Sequence, residues 1–159
     1  MKITIPYKPR VQQNFIHKSL RNRRYALLLC HRRFGKTTCM LNHLIKEALL
    51  NKNHNPRYAY ISPTYKQSKS IAWDFLKFYA GKIPGVKFNE TELRCDLPNG
   101  SRITLLGAES VDNLRGLYFD GVVIDETSQI SASLIEEVLT PALSDRSGFM
   151  YLVGTPQGM

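Results

Sequence analysis

Residues 30–37 read CHRRFGKT, directly after an apolar run and directly before a helical pattern of apolar side chains. The pattern G-x-x-x-x-G-K-[ST] describes a loop whose backbone N–H groups cradle phosphate groups. Gly35, Lys36 and Thr37 match this pattern, whereas Cys30 stands in the place of the first glycine. A basic turn before a helix is the alternative interpretation. The order of strand, loop and helix favours a phosphate-binding loop.

A second motif lies at residues 121–126, which read GVVIDE. An apolar strand that ends in two carboxylates suits an enzyme with such a phosphate-binding loop, because these enzymes place an acid near the Mg²⁺ bound by the loop hydroxyl. Asp125 fits this metal-binding role. Glu126 is placed to orient or deprotonate an attacking water molecule. A strand that ends in a solvated acidic turn is the alternative, and the phosphate-binding loop upstream disfavours it.

Composition limits the class of protein. The chain has 159 residues, which is the length of one domain, and its 43% apolar content can form a substantial core. No apolar run approaches the length of a membrane-spanning helix. The three cysteines are odd in number and show no C-x-x-C spacing, which fits a reducing compartment without a disulfide framework. The four histidines form no zinc-binding pattern with them.

The positive charge is concentrated near the N-terminus. The net charge is +9, and residues 1–46 hold 11 of the 22 lysines and arginines and no acidic residue. Such asymmetry indicates a polyanionic partner, either nucleotide phosphates or DNA. Arg21, Arg23 and Arg24 exceed what one nucleotide needs, although a solvated basic helix end is an equally ordinary interpretation.

The apolar periodicity alternates between strands and helices. This alternation predicts an α/β fold with a mostly parallel sheet flanked by helices. Asn99 and Gly100 lie between two alternating stretches, which predicts a β-hairpin near residues 93–106. The predicted helices cover residues 11–20, 37–50, 67–79 and 132–139, and the predicted strands cover residues 25–30, 57–62, 122–125 and 149–153.

With these motifs in order, the chain resembles the N-terminal ATPase region of the large terminase subunit, the DNA-packaging motor of tailed bacteriophages and prophages. The resemblance implies a P-loop NTPase fold of the ASCE/RecA-like class. It covers almost the whole chain, and the segments that carry it are residues 7–10 with Gln13 and His17, the phosphate-binding loop at 30–37, residues 61–67, residues 114–118 before the Asp125–Glu126 strand, residues 141–146, and residues 154–158.

The resemblance implies a role for each residue of the nucleotide site. Gln13 would recognise the adenine edge, and adjacent Gln12 makes that assignment ambiguous. Thr155 would lie in the loop that couples hydrolysis to motion. Phosphates would be bound by Arg32, Arg33, Phe34, Gly35, Lys36, Thr37 and Thr38; among these, Lys36 would bridge the β- and γ-phosphates.

The same resemblance implies catalytic groups and a metal. Thr37 and Asp125 would bind Mg²⁺, and Glu126 would position water for attack on the γ-phosphate of ATP. Arg32 or Arg33 would stabilise charge from the same subunit. Arg115 would do so from a neighbouring subunit as an arginine finger, although a structural salt bridge is an equally good interpretation of each arginine.

The implied biology is that of a motor in the cytoplasm of the bacterial host. The partners would be double-stranded DNA, a portal protein and a terminase small subunit, with subunits assembled in a ring and no membrane association. Residues 150–159 resemble a buried strand and a functional loop, so we expect residues 1–159 to be one ATPase domain truncated at its C-terminus. Large terminases also carry a nuclease domain of ribonuclease H type, and we expect no DNA cleavage without it.

Two other functions remain open at this point. The set of Gln13, the Asp125–Glu126 pair and residues 154–156 also occurs in helicase-like, DNA-dependent ATPases. A chain that binds nucleotide or DNA without turnover is the non-enzymatic alternative. The segment around Arg115 and the altered phosphate-binding loop favour the terminase.

Overall fold

The computed structural model describes residues 2–156 and contains a seven-stranded sheet. The strands are β1 Tyr25–Leu29, β2 Arg57–Ser62, β3 Lys87–Asn89, β4 Arg94–Asp96, β5 Arg102–Gly107, β6 Gly121–Ile124 and β7 Phe149–Gly154. Their order across the sheet is β1-β7-β6-β2-β5-β4-β3. Strands β1, β7, β6, β2 and β5 are parallel, and β4 and β3 extend the sheet in antiparallel fashion.

Helices connect the strands. They are α1 Val11–Leu20, α2 Lys36–Leu50, α3 Tyr65–Gln67, α4 Trp73–Ala80, α5 Val111–Leu114 and α6 Thr140–Ser144. Two π-helical segments, Ser68–Ala72 and Leu134–Leu139, continue directly into α4 and α6, and two 3₁₀ turns cover Arg32–Phe34 and Thr127–Gln129. No helix in the described part of the chain is long and apolar enough to cross a membrane.

Helices cover both faces of the sheet, as the continuous apolar strands predict. Tyr58 and Tyr60 of β2 point into a core on the side of α1, α2 and α4. Ala59 and Ile61 of the same strand point into a second core formed with residues 134–144. The predicted α/β fold with a mostly parallel sheet is therefore confirmed.

The predicted hairpin is present as β4 and β5, which pair in antiparallel register. Leu97 N donates to Ser101 O at 2.8 Å and closes the turn. Gly100 occupies its left-handed position with a φ of 90°, a conformation that glycine adopts without a steric penalty. The motif residues Gln157 and Gly158 lie outside the described residues.

The strand order places the functional loops together. Strand β7 lies between β1 and β6, and all three run parallel. Their carboxyl ends therefore meet at one edge of the sheet, which is where open α/β sheets bind their ligands. The loop after β1 carries Lys36, β6 ends before Asp125, and β7 ends before Thr155.

Candidate nucleotide-binding site

A pocket of about 820 Å³ opens at the carboxyl ends of β1, β6 and β7. Its lining contains most of the residues that the sequence motifs single out. The lining residues are Arg32, Gly35, Lys36, Thr37, Thr38, Tyr60, Ser62, Pro63, Gln67, Ile71, Ala72, Phe75, Asp125, Glu126, Gln129, Thr155 and Pro156.

The phosphate-binding loop turns at Gly35 rather than at Cys30. Cys30 N donates to Gly154 O at 3.0 Å and so continues the pairing of β1 with β7. Cys30 is not among the residues with positive φ, whereas Gly35 has a φ of 80°. A Cβ atom on Gly35 would lie 2.8 Å from the side-chain nitrogens of Arg10 and Gln13. The glycine requirement therefore rests on Gly35, and this chain folds the loop without the first glycine of the motif.

Helix α1 supports this loop from behind. Gln13 is 4% exposed, and its Nε2 donates to the carbonyl oxygens of Phe34 and Gly35, each at 3.3 Å. Its Oε1 accepts from Arg10 N at 2.9 Å. The Arg10 guanidinium donates to Arg33 O at 3.3 Å and to Phe34 O. Arg10 belongs to a segment that carries the family resemblance, but no role was predicted for it, because the partners of its guanidinium lie more than 20 residues away.

The two adjacent glutamines lie in different environments. Gln13 is buried against the loop and Gln12 is exposed. Both line a smaller pocket of about 270 Å³ beside the loop, together with Arg10, Cys30, His31, Phe34 and Leu29. The role of Gln13 in recognising adenine stays a prediction, and this pocket is where a base would lie.

Lys36 joins the three loops. Its Nζ lies 3.6 Å from Glu126 Oε1, contacts Thr155 Oγ1, and belongs to a side chain that is 9% exposed. An ammonium group with partners from the loops after β6 and β7 is positioned where those loops meet. The structure thus brings together Lys36, Glu126 and Thr155 from three separate motifs, of which Lys36 and Thr155 lie 119 residues apart in the sequence.

Tyr60 connects the phosphate-binding loop to the acidic strand end. Its hydroxyl donates to Asp125 Oδ2 at 2.6 Å and lies 3.4 Å from Thr37 Oγ1. Burial raises the pKa of the Asp125 carboxyl above its usual value, and the hydrogen bonds from Tyr60 and from Glu126 N–H oppose that rise. Motif analysis missed Tyr60, because residues 58–62 are a buried stretch of β2 and no sequence pattern distinguishes Tyr60 from its neighbours.

Glu126 has an unusual backbone conformation. Its φ and ψ are 49° and 51°, in the left-handed region. Non-glycine residues rarely adopt this conformation, and such strain is concentrated at functional sites. Glu126 N also donates to Asp125 Oδ1 at 2.9 Å. Because of this turn, the two neighbouring carboxylates have different partners. Asp125 accepts a hydrogen bond from Tyr60, and Glu126 lies beside Lys36.

The oxygens of Thr37 and Asp125 fit Mg²⁺. They are hard ligands, and the Tyr60 hydroxyl that contacts both of them places them in one part of the pocket. Within residues 2–156 there is no group of three or more His, Cys, Asp or Glu side chains that could hold a metal ion. A cation here would resemble the Mg²⁺ sites that use one or two protein ligands and complete their coordination with phosphate and water.

The candidate arginines lie in different places. Arg32 lines the pocket. Arg33 is exposed and is not part of that lining, although its carbonyl belongs to the loop that Arg10 supports. Arg115 is exposed at the end of α5 and also lies outside the lining. The roles of all three arginines, including the action of Arg115 from a neighbouring subunit, stay predictions.

Known proteins resemble this chain over most of its length. The terminase large subunit of Thermus virus P23-45 is 29% identical over 96% of this chain and 35% of its own length. The Thermus phage P74-26 large terminase ATPase domain superposes with a TM-score of 0.79 at 26% identity, covering 98% of this chain and 68% of that one. The HK97 bacteriophage large terminase shares the fold, with a TM-score of 0.76 at 19% identity, over 96% of this chain and 34% of its own.

The chain spans about a third of the length of the curated relatives that it matches. The family described as terminase large subunit, T4likevirus-type, N-terminal, matches residues 27–155. This match includes the last three residues of β1, the phosphate-binding loop, the acidic strand end and β7. The chain therefore belongs to the family of terminase large subunits.

Proposed function

We propose that this chain is the ATP-hydrolysing domain of a terminase large subunit and that its turnover drives double-stranded DNA into a procapsid. One observation carries this proposal: Lys36, Thr37, Asp125, Glu126 and Thr155 converge in one pocket from three separate loops. Each has the chemistry that phosphoryl transfer from ATP requires, which is mainly positioning and charge stabilisation.

Phosphate binding uses the start of α2. The backbone N–H groups at the N-terminus of a helix attract anions, and α2 begins at Lys36. Lys36 adds a positive charge that is held by Glu126 and Thr155. On ATP binding, the ammonium group would exchange these two partners for the β- and γ-phosphates.

Hydrolysis would use Glu126, whose carboxylate Lys36 releases when ATP binds. The Glu126 carboxylate would then accept a proton from the attacking water and orient that water toward the γ-phosphate. A Mg²⁺ ion bound through Thr37 and Asp125 would neutralise charge on the phosphates. The buried Tyr60 hydroxyl donates a hydrogen bond to the Asp125 carboxylate and so holds it in place.

Coupling to movement would pass through Thr155. This residue follows β7 and contacts Lys36. Phosphate binding and release would therefore make and break a contact between the phosphate-binding loop and the end of β7. Such a contact gives the loop two discrete arrangements, which is what a mechanical coupling element needs.

The relatives support nucleotide use and a packaging role. One solved relative is named as a large terminase ATPase domain, and the large terminase of a thermophilic bacteriophage is described in complex with ADP. A ring of subunits, a portal protein and a terminase small subunit are parts of the proposal that follow from family membership. The family match favours packaging over a helicase-like role, and the complete set of pocket residues favours turnover over binding alone.

ATP turnover tests this function. The chain is expected to release phosphate from ATP only with Mg²⁺, faster when double-stranded DNA is present, and with a specific activity that rises with protein concentration as subunits associate. A matched series with EDTA and with single-stranded DNA provides the controls. Turnover that prefers single-stranded DNA would point to a helicase, and nucleotide binding without turnover at any concentration would contradict hydrolysis by this chain.

A further inference from the structure

A second pocket lies at the opposite end of the sheet from the nucleotide site. It has a volume of about 590 Å³ and lies beside the amino ends of β1 and β7. We call it the basal groove and define it by Arg21, Arg23, Arg24, His43 and Lys46. Strand β7 has six residues, so about 20 Å separates this groove from the phosphate-binding loop.

The groove contains an excess of unpaired positive charge. Arg21, Arg23, Arg24 and Lys46 are exposed, and none of them forms an ion pair within the described part of the chain. The groove also contains Glu47 and Asp120.

The acid Asp120 does not neutralise these cations. It is buried and accepts hydrogen bonds from Asn51, Asn53 and Arg57 N, and Arg146 lies 3.5 Å away. Its charge is therefore compensated by groups other than the four groove cations. Glu47 remains as the one acid that reduces the charge of the groove.

A buried imidazole in the groove has one ring nitrogen without a hydrogen-bond partner. His43 is 2% exposed, and its Nε2 has no hydrogen-bond partner. Its Nδ1 lies 3.0 Å from His17 Nδ1, and the Nε2 of His17 lies 2.8 Å from the Tyr7 hydroxyl and 3.6 Å from Cys39 Sγ. In either tautomer, His43 Nε2 is a buried polar atom without a partner.

This imidazole is neutral at pH 7, because its pKa is lowered by burial. Burial, assisted by His17 and Lys46, lowers the pKa of His43 to about 3. Its Nε2 lies 3.9 Å from Glu47 Oε1, which is beyond hydrogen-bond distance. A buried polar atom without a partner is destabilising, and a ligand in the groove would supply the missing partner.

We propose that the basal groove binds the phosphate backbone of double-stranded DNA, at a site separate from the nucleotide pocket. The inference rests on the proposed function for the identity of the polyanion. Four cations along an open groove suit successive phosphates of a duplex, whereas a single nucleotide needs fewer charges and already has the loop at Lys36. Backbone contacts of this kind are independent of sequence, as a packaging motor requires.

The test compares two triple variants with equal charge. The groove variant combines Arg21→Gln, Arg23→Gln and Lys46→Gln. The control variant combines Lys8→Gln, Lys82→Gln and Lys87→Gln, which are exposed lysines without ion pairs elsewhere on the chain. Fluorescence anisotropy with a labelled 20-base-pair duplex, without nucleotide and over a series of salt concentrations, measures binding. Thermal melting establishes that both variants fold.

The groove variant is expected to lose at least about tenfold in DNA affinity near 100 mM salt, and its slope of log affinity against log salt should fall by about 3. The control variant should lose clearly less affinity and keep most of the slope. Equal losses in the two variants would assign the effect to net charge and overturn the proposal.

The His43 ring reports on the ligand directly. In ¹⁵N NMR spectra of the unaltered chain, the duplex should shift the His43 Nε2 resonance, and pyrophosphate at the same phosphate concentration should shift it much less. A shift with pyrophosphate and none with the duplex would identify a site for free phosphate and overturn the DNA assignment. Neither measurement uses ATP. A negative result for ATP turnover would therefore not contradict DNA binding in the basal groove, and a negative result for DNA binding would not contradict ATP turnover.

Discussion

Glu126→Gln is expected to keep ATP binding and to lose hydrolysis by about 10²–10⁴-fold, the contribution of a positioned general base. The amide matches the carboxylate in shape but cannot accept the proton of water. ATP should bind at least as tightly as before, because the substitution removes the negative charge that lies 3.6 Å from Lys36 Nζ. Single-turnover kinetics separate the two effects.

Two variants serve as controls for this result. Glu137→Gln removes an exposed carboxylate elsewhere and should leave turnover unchanged. Asp125→Asn should instead raise the Mg²⁺ concentration needed for half-maximal activity, because it alters the metal ligand and not the base. Full turnover by the Glu126→Gln protein would show that another residue accepts the proton.

Arg115→Ala is expected to lower turnover by about 10³–10⁵-fold, the value of an arginine finger in phosphoryl transfer. Arg115 is exposed and lies outside the pocket of its own subunit, so its effect should depend on assembly. At dilutions at which subunits separate, the unaltered chain should be nearly as inactive as the variant. This is why we expect the isolated chain to be a poor ATPase although its own pocket is complete.

A mixing experiment tests the action across the interface. Subunits with Lys36→Ala lack a working pocket, and subunits with Arg115→Ala lack a finger. Mixed assemblies contain interfaces that pair an intact pocket with an intact finger, so activity should return in part. A mixture as inactive as each variant alone, with assembly verified by light scattering, would show that Arg115 does not act in trans.

Arg32 would then be the better candidate for the finger. It lines the pocket of its own subunit, whereas the side chain of Arg33 lies outside that lining. Arg146 is also a poor candidate, because its guanidinium donates to His54 O at 2.8 Å, lies beside Asp120 and stacks over Tyr118. These contacts hold it near the opposite end of the sheet.

Much of the fold could be predicted from local sequence patterns. Strand β2 has the predicted bounds, Arg57–Ser62, and α2 begins one residue before the predicted start at 37. The predicted helix at 67–79 is instead α3, a π-helical segment and α4. A π turn inserts one residue into a helix, and periodicity over a short window does not reveal such an insertion. Strand β3 has only three residues and was not predicted.

The site residues could be predicted where a single sequence motif contains both the functional residue and the loop that positions it. Lys36, Thr37, Asp125, Glu126 and Thr155 all line the same pocket. Tyr60 was missed and Arg10 was given no role, because both act through partners distant in sequence: Arg10 holds the loop carbonyls, and Tyr60 binds Asp125 across neighbouring strands. Only the packing of α1 and the order of the strands bring these partners together.

Calorimetric titration of ATP with Mg²⁺ into the unaltered chain and into the Lys36→Ala variant tests the central claim most directly. The claim is that the loop at residues 30–37 binds the phosphates of ATP. Lys36→Ala should abolish measurable binding, because it removes the positive charge directed at the β- and γ-phosphates, while the exposed control Lys87→Ala should bind ATP as the unaltered chain does. Equal ATP affinity in the Lys36→Ala variant and the unaltered chain would contradict the assignment of this pocket.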